Sequence, residues 1–342
     1  MNDVSNCSIE LYSIDRAILD ALQRGLPVTE RPFAVIARDL GMSERQVVAK
    51  AAGLKRAGYI RRLGAFFSSR RLGYRGTLIA LSVEEDRLAA TANFVNRFSG
   101  VTHNYQREGK YQLWFTLLTL GAVEKQAVLS ALAEMDGVDD LMELPSEKAY
   151  KIRVALPMEE MGENSAFLPP EAPRPAMEET NALAELDSLD RKLIHLLSGE
   201  LPVRETPFEP LARELKIPVA EALARIEGYL STGVMRRLGI VLAHQRAGYT
   251  ANGLCAWQVP AGQADEIGAA IAGAEPRVSH CYLRRAAPAK GWLYTLYTMI
   301  HGHSREEVET TAEKMAARYR GLGDRVILYS VKEWKKKSLI YF

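Results

Sequence analysis

Cysteine is nearly absent. The three present, Cys7, Cys255 and Cys281 in 342 residues, are too few and too scattered for a disulfide framework or a paired zinc motif. They read as reduced packing or surface residues. Cys281 beside His280 makes no metal site either, because neighbours in an extended strand point to opposite faces. A charge imbalance is also missing: 44 Lys and Arg against 42 Asp and Glu leave a formal net charge of +2, an ordinary surface rather than that of a strongly cationic nucleic-acid binder. No run approaches the ~20 apolar residues of a membrane helix, and Met1 to Glu10 lacks the apolar core of a secretion signal. A cytoplasmic protein without membrane contact is expected.

What the chain does contain is a tandem duplication. Asp15 to Gly64 align without a gap to Asp190 to Gly239, with 19 of 50 positions identical. The shared segments include Asp15-Arg16, Leu26-Pro27-Val28, Pro32-Phe33 and Arg61-Arg62-Leu63-Gly64, which return as Asp190-Arg191, Leu201-Pro202-Val203, Pro207-Phe208 and Arg236-Arg237-Leu238-Gly239. Two diverged copies of one unit suit a protein that is its own asymmetric dimer.

Each copy opens on a helical pattern, with Ile14, Ile18, Leu19 and Leu22 in the first and Leu189, Leu193, Leu196 and Leu197 in the second. A proline loop leads to a short helix from Phe33 to Leu40. Gly41 ends it, Ser43 caps a third helix and Gly58 stops that one. This is a helix-turn-helix, and Ile60 to Phe67 reads as the first strand of a wing. The period then changes: strands at 77–83, 101–107, 111–120 and 138–144 alternate with helices near 85–98 and 122–135, the βαββαβ order of a ferredoxin-like domain. A second round runs from about Thr250 to Ser330, where Leu328-Tyr329-Ser330 echoes Leu144-Pro145-Ser146. Pro157 to Glu185 holds five prolines and a run of glutamates with no apolar period, a linker composition. The expected architecture is α+β in four domains forming an intramolecular pseudo-dimer: winged helices at 12–70 and 186–246 and ferredoxin-like domains at 71–156 and 247–342, with the linker at 157–185.

A winged helix followed by a ferredoxin-like domain resembles the Lrp/AsnC transcription regulators. Two further motifs sharpen the resemblance. Val101-Thr102-His103-Asn104-Tyr105-Gln106-Arg107, followed by Tyr111 to Thr116, is matched by Val278-Ser279-His280-Cys281-Tyr282-Leu283-Arg284, followed by Trp292-Leu293-Tyr294. With Arg-Arg-Leu-Gly in each wing, the chain is similar to the siroheme decarboxylases, here with both subunits fused, as in the form linked to heme d1 synthesis. The resemblance covers all but the linker and the first dozen residues. It implies removal of the carboxyl groups of two acetate side chains of siroheme, giving 12,18-didecarboxysiroheme. It also implies no cofactor of the protein's own, since the iron arrives with the substrate, and a possible pairing with a related decarboxylase. The alternative reading is a heme- or tetrapyrrole-responsive regulator of the Lrp/AsnC type.

The chemistry suggests roles for particular residues. A polycarboxylate macrocycle needs an apolar slot and cationic donors, and arginine forks suit carboxylates best. Arg61, Arg62, Arg107, Arg236, Arg237, Arg284, Arg285 and Lys290 are the substrate-binding candidates, with Lys148 and Lys332 as weaker ones and Trp114, Trp292 or Trp334 as stacking surfaces. Decarboxylation needs an acid and a desolvated carboxylate. His103 and His280 suit the acid role because histidine titrates near neutrality, or each could contact the substrate's iron. Tyr105 and Tyr282, two residues on, share their strand faces, and the proton could come from tyrosine or water instead. His301 and His303, in His-Gly-His after an apolar strand, read as a strand-end turn, with a metal site as the alternative, and His195 and His244 have no assigned role. The counterpart of Gln112 is expected at Trp292, with a register shift of two residues between copies. Specific DNA binding is not expected: the second recognition helix offers Arg225 as its one cation alongside Glu221 and Glu227, and two unlike heads do not match a palindrome.

Overall fold

The structure is a computed structural model, and it describes residues 11–152, 183–242 and 251–342. Cys7, His244 and residues 157–182 of the linker lie outside these. Chain contacts divide the protein into two compact units that group the copies by type, one containing both helix-turn-helix segments and the other both ferredoxin-like segments. Among the described residues no helix is long and apolar enough to cross a membrane.

In the first unit, α1 (Ser13–Arg24), α2 (Pro32–Asp39) and α3 (Glu44–Arg56) precede β1 (Ile60–Phe67). Their sequence causes are local. Pro32 opens α2 at a position with no N–H to lose, and Ser43 with Gln46 forms a reciprocal capping box for α3. The second copy repeats the order as α6 (Ser188–Ser198), α7 (Glu209–Leu215), α8 (Val219–Ser231) and β6 (Met235–Leu242). Both first-helix faces are apolar and fully buried, through Ile18, Leu19 and Leu22 in one and Leu193, Ile194 and Leu197 in the other.

The strand read as the start of a wing finds its partner in the other copy: β1 pairs antiparallel with β6, with Gly64 opposite Gly239 at the centre. The ribbon is tied to both helical sets, because Leu26 N–H donates to Leu238 O and Leu201 N–H to Leu63 O, each at 2.8 Å. Close approach explains the recurring glycine. A Cβ on Gly239 would lie 2.6 Å from Leu22 O, and one on Gly64 would lie 2.8 Å from Gly199 O. Gly239→Ala is therefore expected to destabilise the protein by about 1–3 kcal/mol through overpacking, read as a lower midpoint in urea unfolding at unchanged slope.

The second unit holds two βαββαβ halves. The first is β2 (Arg75–Val83), α4 (Leu88–Asn96), β3 (Val101–Arg107), β4 (Leu113–Thr119), α5 (Ala122–Ala133) and β5 (Val138–Ile152). The second is β7 (Ala251–Trp257), α9 (Ala264–Ala274), β8 (Val278–Arg284), β9 (Leu296–Gly302), α10 (Arg305–Arg318) and β10 (Arg325–Lys336). Strand alternation sends one face of each sheet to its own helices, giving cores around Phe115 and Val95 and around Trp257 and Ile271. The opposite faces share a third core that contains Leu78, Trp114, Leu144, Leu254, Tyr297 and Leu328.

The last strand of each half is longer than its pattern predicts. β5 pairs with β2 as far as Pro145 and then, from Ser146 to Ile152, with β8 of the other half. β10 mirrors it, pairing with β7 as far as Tyr329 and with β3 from Ser330 to Lys336. The sheets are thus stitched at both edges by exchanged strand tails, which leaves β3 and β8 covered rather than as open edges.

Candidate active site

β3 and β8 carry the two histidine motifs, and the structure builds them alike. Each begins with a bulge, between Val101 and His103 and between Val278 and His280. A bulge re-aims side chains, and here it lets the hydroxyl residue reach its neighbour: Thr102 Oγ1 lies 3.0 Å from His103 Nδ1 and Ser279 Oγ 2.7 Å from His280 Nδ1. Strict alternation then takes over. Asn104 faces the helices, donating to Ala92 O and Asn96 Oδ1, and Cys281 sits in the helix-side core. His103, Tyr105 and Arg107 fall on the other face, as do His280, Tyr282 and Arg284. Cys281 and His280 are therefore on opposite sides, and burial pushes the Cys281 thiol up to about 12.

Along each line the three side chains stack. The rings of His103 and Tyr105 are 6.3 Å apart and those of His280 and Tyr282 6.1 Å. The guanidinium of Arg107 lies 5.3 Å from the Tyr105 ring centre and that of Arg284 5.1 Å from Tyr282. Arg107 donates to Leu328 O at 2.7 Å and Arg284 to Leu144 O at 3.0 Å, so each arginine also pins the point where an exchanged tail crosses. Both are buried, at 4% and 7% exposure, and among the described residues neither has a carboxylate partner, while each Nε–H has no acceptor. Burial lowers Arg107 to about 10 and lowers Arg284 as well. An uncompensated buried cation is costly. It favours an anion brought by a ligand.

The flanks differ. Register sets Glu333 beside Tyr105 and Lys336 beside His103, with an ion pair of 3.7 Å between those two flanking charges. In the second half the equivalent positions are apolar, Ala149 beside Tyr282 and Ile152 beside His280. There Ser279 Oγ also lies 2.6 Å from His301 Nε2, and His301 Nδ1 bonds Asn252 Oδ1. The strand-end reading missed His301. The signal was in the repeat: Leu118 and Gly76 hold the matching pair of positions in the first half.

Other expected site residues have different surroundings. Arg62 donates to Ser198 O at 2.7 Å, Gly199 O at 3.0 Å and Ala65 O at 2.8 Å, and Arg237 donates to Gln23 O and to Ile240 O at 3.1 Å. Each guanidinium caps the carboxyl end of the other copy's first helix, where carbonyls lack partners. They act as clamps of the pseudo-dimer instead of substrate forks. Arg61 and Arg236, one residue earlier in the strand, are exposed. Trp114 is 2% exposed with its indole N–H donating to Tyr111 O at 2.8 Å, so it fills the core shared by the sheets and offers no face for stacking. Trp292 packs against it at 5.5 Å. The Lys290 ammonium pairs with Asp140 and holds that carboxyl below the usual range. Lys148 pairs with Asp265 at 2.7 Å, Arg285 with Glu147 at 3.4 Å, and Lys332 lies over the Trp334 ring. His195 Nδ1 contacts Tyr341 O and Phe342 O, and His303 N–H donates to Glu307. Finally, Arg107 N–H bonds Gln112 O just as Arg284 N–H bonds Thr295 O. The counterpart of Gln112 is therefore Thr295 and not Trp292; the hairpin after Arg284 is longer and there is no register shift.

Family models match both parts of each copy: an AsnC-like ligand binding domain over residues 71–151 and 246–335, and a siroheme decarboxylase NirDL-like HTH domain over 15–61 and 190–236. A siroheme decarboxylase of Hydrogenobacter thermophilus is 33% identical over 326 residues, covering 95% of this chain and 94% of its own. The chain belongs to the siroheme decarboxylase family. The siroheme decarboxylase NirDL subunit of Paracoccus denitrificans is 33% identical over 89% of each chain. The alpha subunit of the Desulfovibrio desulfuricans siroheme decarboxylase, at 42% identity, matches 44% of this chain and 86% of its own length, so a single subunit there corresponds to about half of this fused family member. The crystal structure of the siroheme decarboxylase NirDL superposes with a TM-score of 0.72 at 29% identity, covering 96% of this chain and 94% of that one. A crystal structure of the siroheme decarboxylase NirDL in co-complex with an iron-uroporphyrin III analogue gives 0.71 at 28% identity, covering 95% of this chain and 93% of that one.

Proposed function

We propose that this family member decarboxylates siroheme, removing the carboxyl groups of two acetate side chains to give 12,18-didecarboxysiroheme in heme d1 or heme formation. The observation that carries the reading is the twofold His-Tyr-Arg line, each built over a buried arginine with no carboxylate to balance it among the described residues. A polyanionic macrocycle supplies that countercharge. Arg107 and Arg284 are its electrostatic anchors.

For each acetate the bond from methylene to carboxylate breaks, carbon dioxide leaves, and one proton replaces it, so that a methyl group remains. The electron pair stays with the tetrapyrrole and no oxidant or reductant is consumed. The substrate brings its own iron, and we assign the protein no cofactor. His103 and His280 supply protons, and Tyr105 and Tyr282 hold the imidazole planes and present hydroxyls to the same face. The reaction belongs in the cytoplasm, and a pairing with a related decarboxylase is compatible with the fused arrangement.

Operator recognition is not part of this function. Arg225 of α8 is held by Asp190 at 2.7 Å, Asp187 at 3.1 Å and Glu221 at 3.3 Å, and Lys50 of α3 by Asp15 at 2.8 Å. Cations committed to helix-to-helix pairs are poor phosphate contacts. Anaerobic incubation of the purified chain with siroheme is expected to yield a product lighter by two carbon dioxide units by mass spectrometry. A bound siroheme spectrum with unchanged mass would make the protein a carrier.

A further inference from the structure

The two histidines differ in what stands behind them. His103 Nδ1 meets Thr102 and, at the position corresponding to His301, the first half has Leu118. His280 Nδ1 meets Ser279 Oγ at 2.7 Å, Ser279 Oγ meets His301 Nε2 at 2.6 Å, and His301 Nδ1 meets Asn252 Oδ1. Ser279 is buried and is the bulge residue itself, whereas His301 and Asn252 are half-buried. The string therefore runs from the candidate acid, through a desolvated hydroxyl, to a second imidazole that is half-buried like the first.

Donor and acceptor roles along it follow from the chemistry of the groups. An amide oxygen only accepts, so His301 Nδ1 carries a proton. When His301 takes up a second proton, its Nε2–H donates to Ser279 Oγ, and the Ser279 hydroxyl donates to His280 Nδ1. The remaining nitrogen of His280, Nε2, then bears the proton that can meet the substrate. We propose that Asn252, His301, Ser279 and His280 form a proton relay that resupplies His280, a device built into the second half only. The proposal rests on the decarboxylase reading.

The relay step balances. As carbon dioxide leaves, the proton on His280 Nε2 passes to the carbon that lost its carboxylate. The Ser279 proton moves to His280 Nδ1 and the His301 Nε2 proton moves to Ser279 Oγ, which leaves both imidazoles neutral with their protons on Nδ1; before the next turnover His280 Nε2 takes a proton from solvent and the string runs back, from His280 Nδ1 to Ser279 and from Ser279 to His301 Nε2. One proton enters and no charge stays on His280. The flanking Ala149 and Ile152 are apolar and offer an imidazolium at His280 no countercharge. In the first half, His103 has the charged Glu333 and Lys336 beside it. By virtue of its connections His301 is a positioning and relay residue, distinct from one that touches the substrate.

The test uses the full chain in anaerobic single turnovers, with each product followed by mass. His301→Gln keeps a polar side chain that can bond Ser279 and Asn252 but cannot pass a proton, and His301→Leu copies the first half. Both are expected to slow, by roughly 10²-fold, the same carbon dioxide loss that His280→Ala slows, so that a monodecarboxylated product accumulates while siroheme titrates with unchanged affinity. Imidazole in the buffer is expected to restore the rate in His301→Gly, and His280→Ala combined with His301→Gln is expected to be no slower than His280→Ala alone, as for members of one chain. Parental rates in His301→Gln for both losses would overturn the relay, and so would equal slowing of both losses without imidazole rescue. If His301→Leu does not fold, the glutamine variant alone decides. The unsubstituted chain is the control: if it releases no carbon dioxide, the decarboxylase reading fails first and the relay falls with it.

Discussion

Alanine at both His103 and His280 is expected to abolish siroheme decarboxylation while leaving siroheme bound. Each imidazole is half-buried on a sheet face, stacked on a tyrosine and held at Nδ1 by the preceding hydroxyl. That setting fixes the ring plane on the sheet face. Loss of a general acid typically costs about 10²–10⁴ in rate, so single variants should accumulate monodecarboxylated tetrapyrrole and the double variant should release essentially none. Because the imidazoles are cut back to small side chains on a face anchored elsewhere by arginine, the Kd for siroheme is expected to change by less than about tenfold, or 1.4 kcal/mol. Turnover at the parental rate in the double variant would remove histidine from the mechanism and leave Tyr105, Tyr282 or water as the proton source.

The second large effect concerns Arg107. Arg107→Met removes a desolvated charge together with one hydrogen bond to Leu328 O, two changes of opposite sign for stability. The empty protein is therefore expected to keep its melting temperature within a few degrees. With siroheme present, the ligand loses its buried countercharge, and a truncated charge pair of this kind costs about 2–5 kcal/mol, roughly 30- to several-thousand-fold in affinity. The readout is the rise in Tm that siroheme produces, which should shrink or vanish in the variant. A guanidinium serving only to fasten the strand crossing would instead lower Tm equally with and without ligand. The pH dependence has a definite sign. Burial lowers Arg107 to about 10, and only the charged form pairs with a carboxylate, so affinity is full below about pH 10 and falls as pH rises through it. The empty fold responds oppositely, gaining stability above about pH 10 because the unfolded chain there holds the proton that the folded one has shed.

Much of this architecture was legible in the sequence because its causes are local. Helical spacing, the Ser43 cap, the glycines that end helices and the strand alternation of His103, Tyr105 and Arg107 are all short-range. Most of the misreadings have one origin, which is contact between the copies. Arg62 looked like a substrate fork because its real acceptors, Ser198 O and Gly199 O, are 136 and 137 residues away, and those of Arg237 lie as far back as Gln23. The polar tails Ser146–Ile152 and Ser330–Lys336 show no two-residue apolar alternation, since what orders them is main-chain pairing with β8 and β3. Trp114 suggested stacking on a macrocycle, yet its indole is spent on the core between sheets. His301 reads as a strand-end turn from its His-Gly-His pattern alone; with Thr295 as the counterpart of Gln112, His301 corresponds to Leu118 of the first half and stands out as a substitution with a partner.

The exchanged tails of β5 and β10 also change what a mutation means. The edge of the strand bearing His103 is encoded about two hundred and thirty residues later, at Ser330–Lys336, and the edge of the strand bearing His280 is encoded in the first copy, at Ser146–Ile152. A change inherited by one copy is thus felt at the histidine of the other. Divergence after such a duplication cannot proceed copy by copy; the unit on which selection acts is the reciprocal pair, and neither repeat can be discarded without taking an edge from the one that remains.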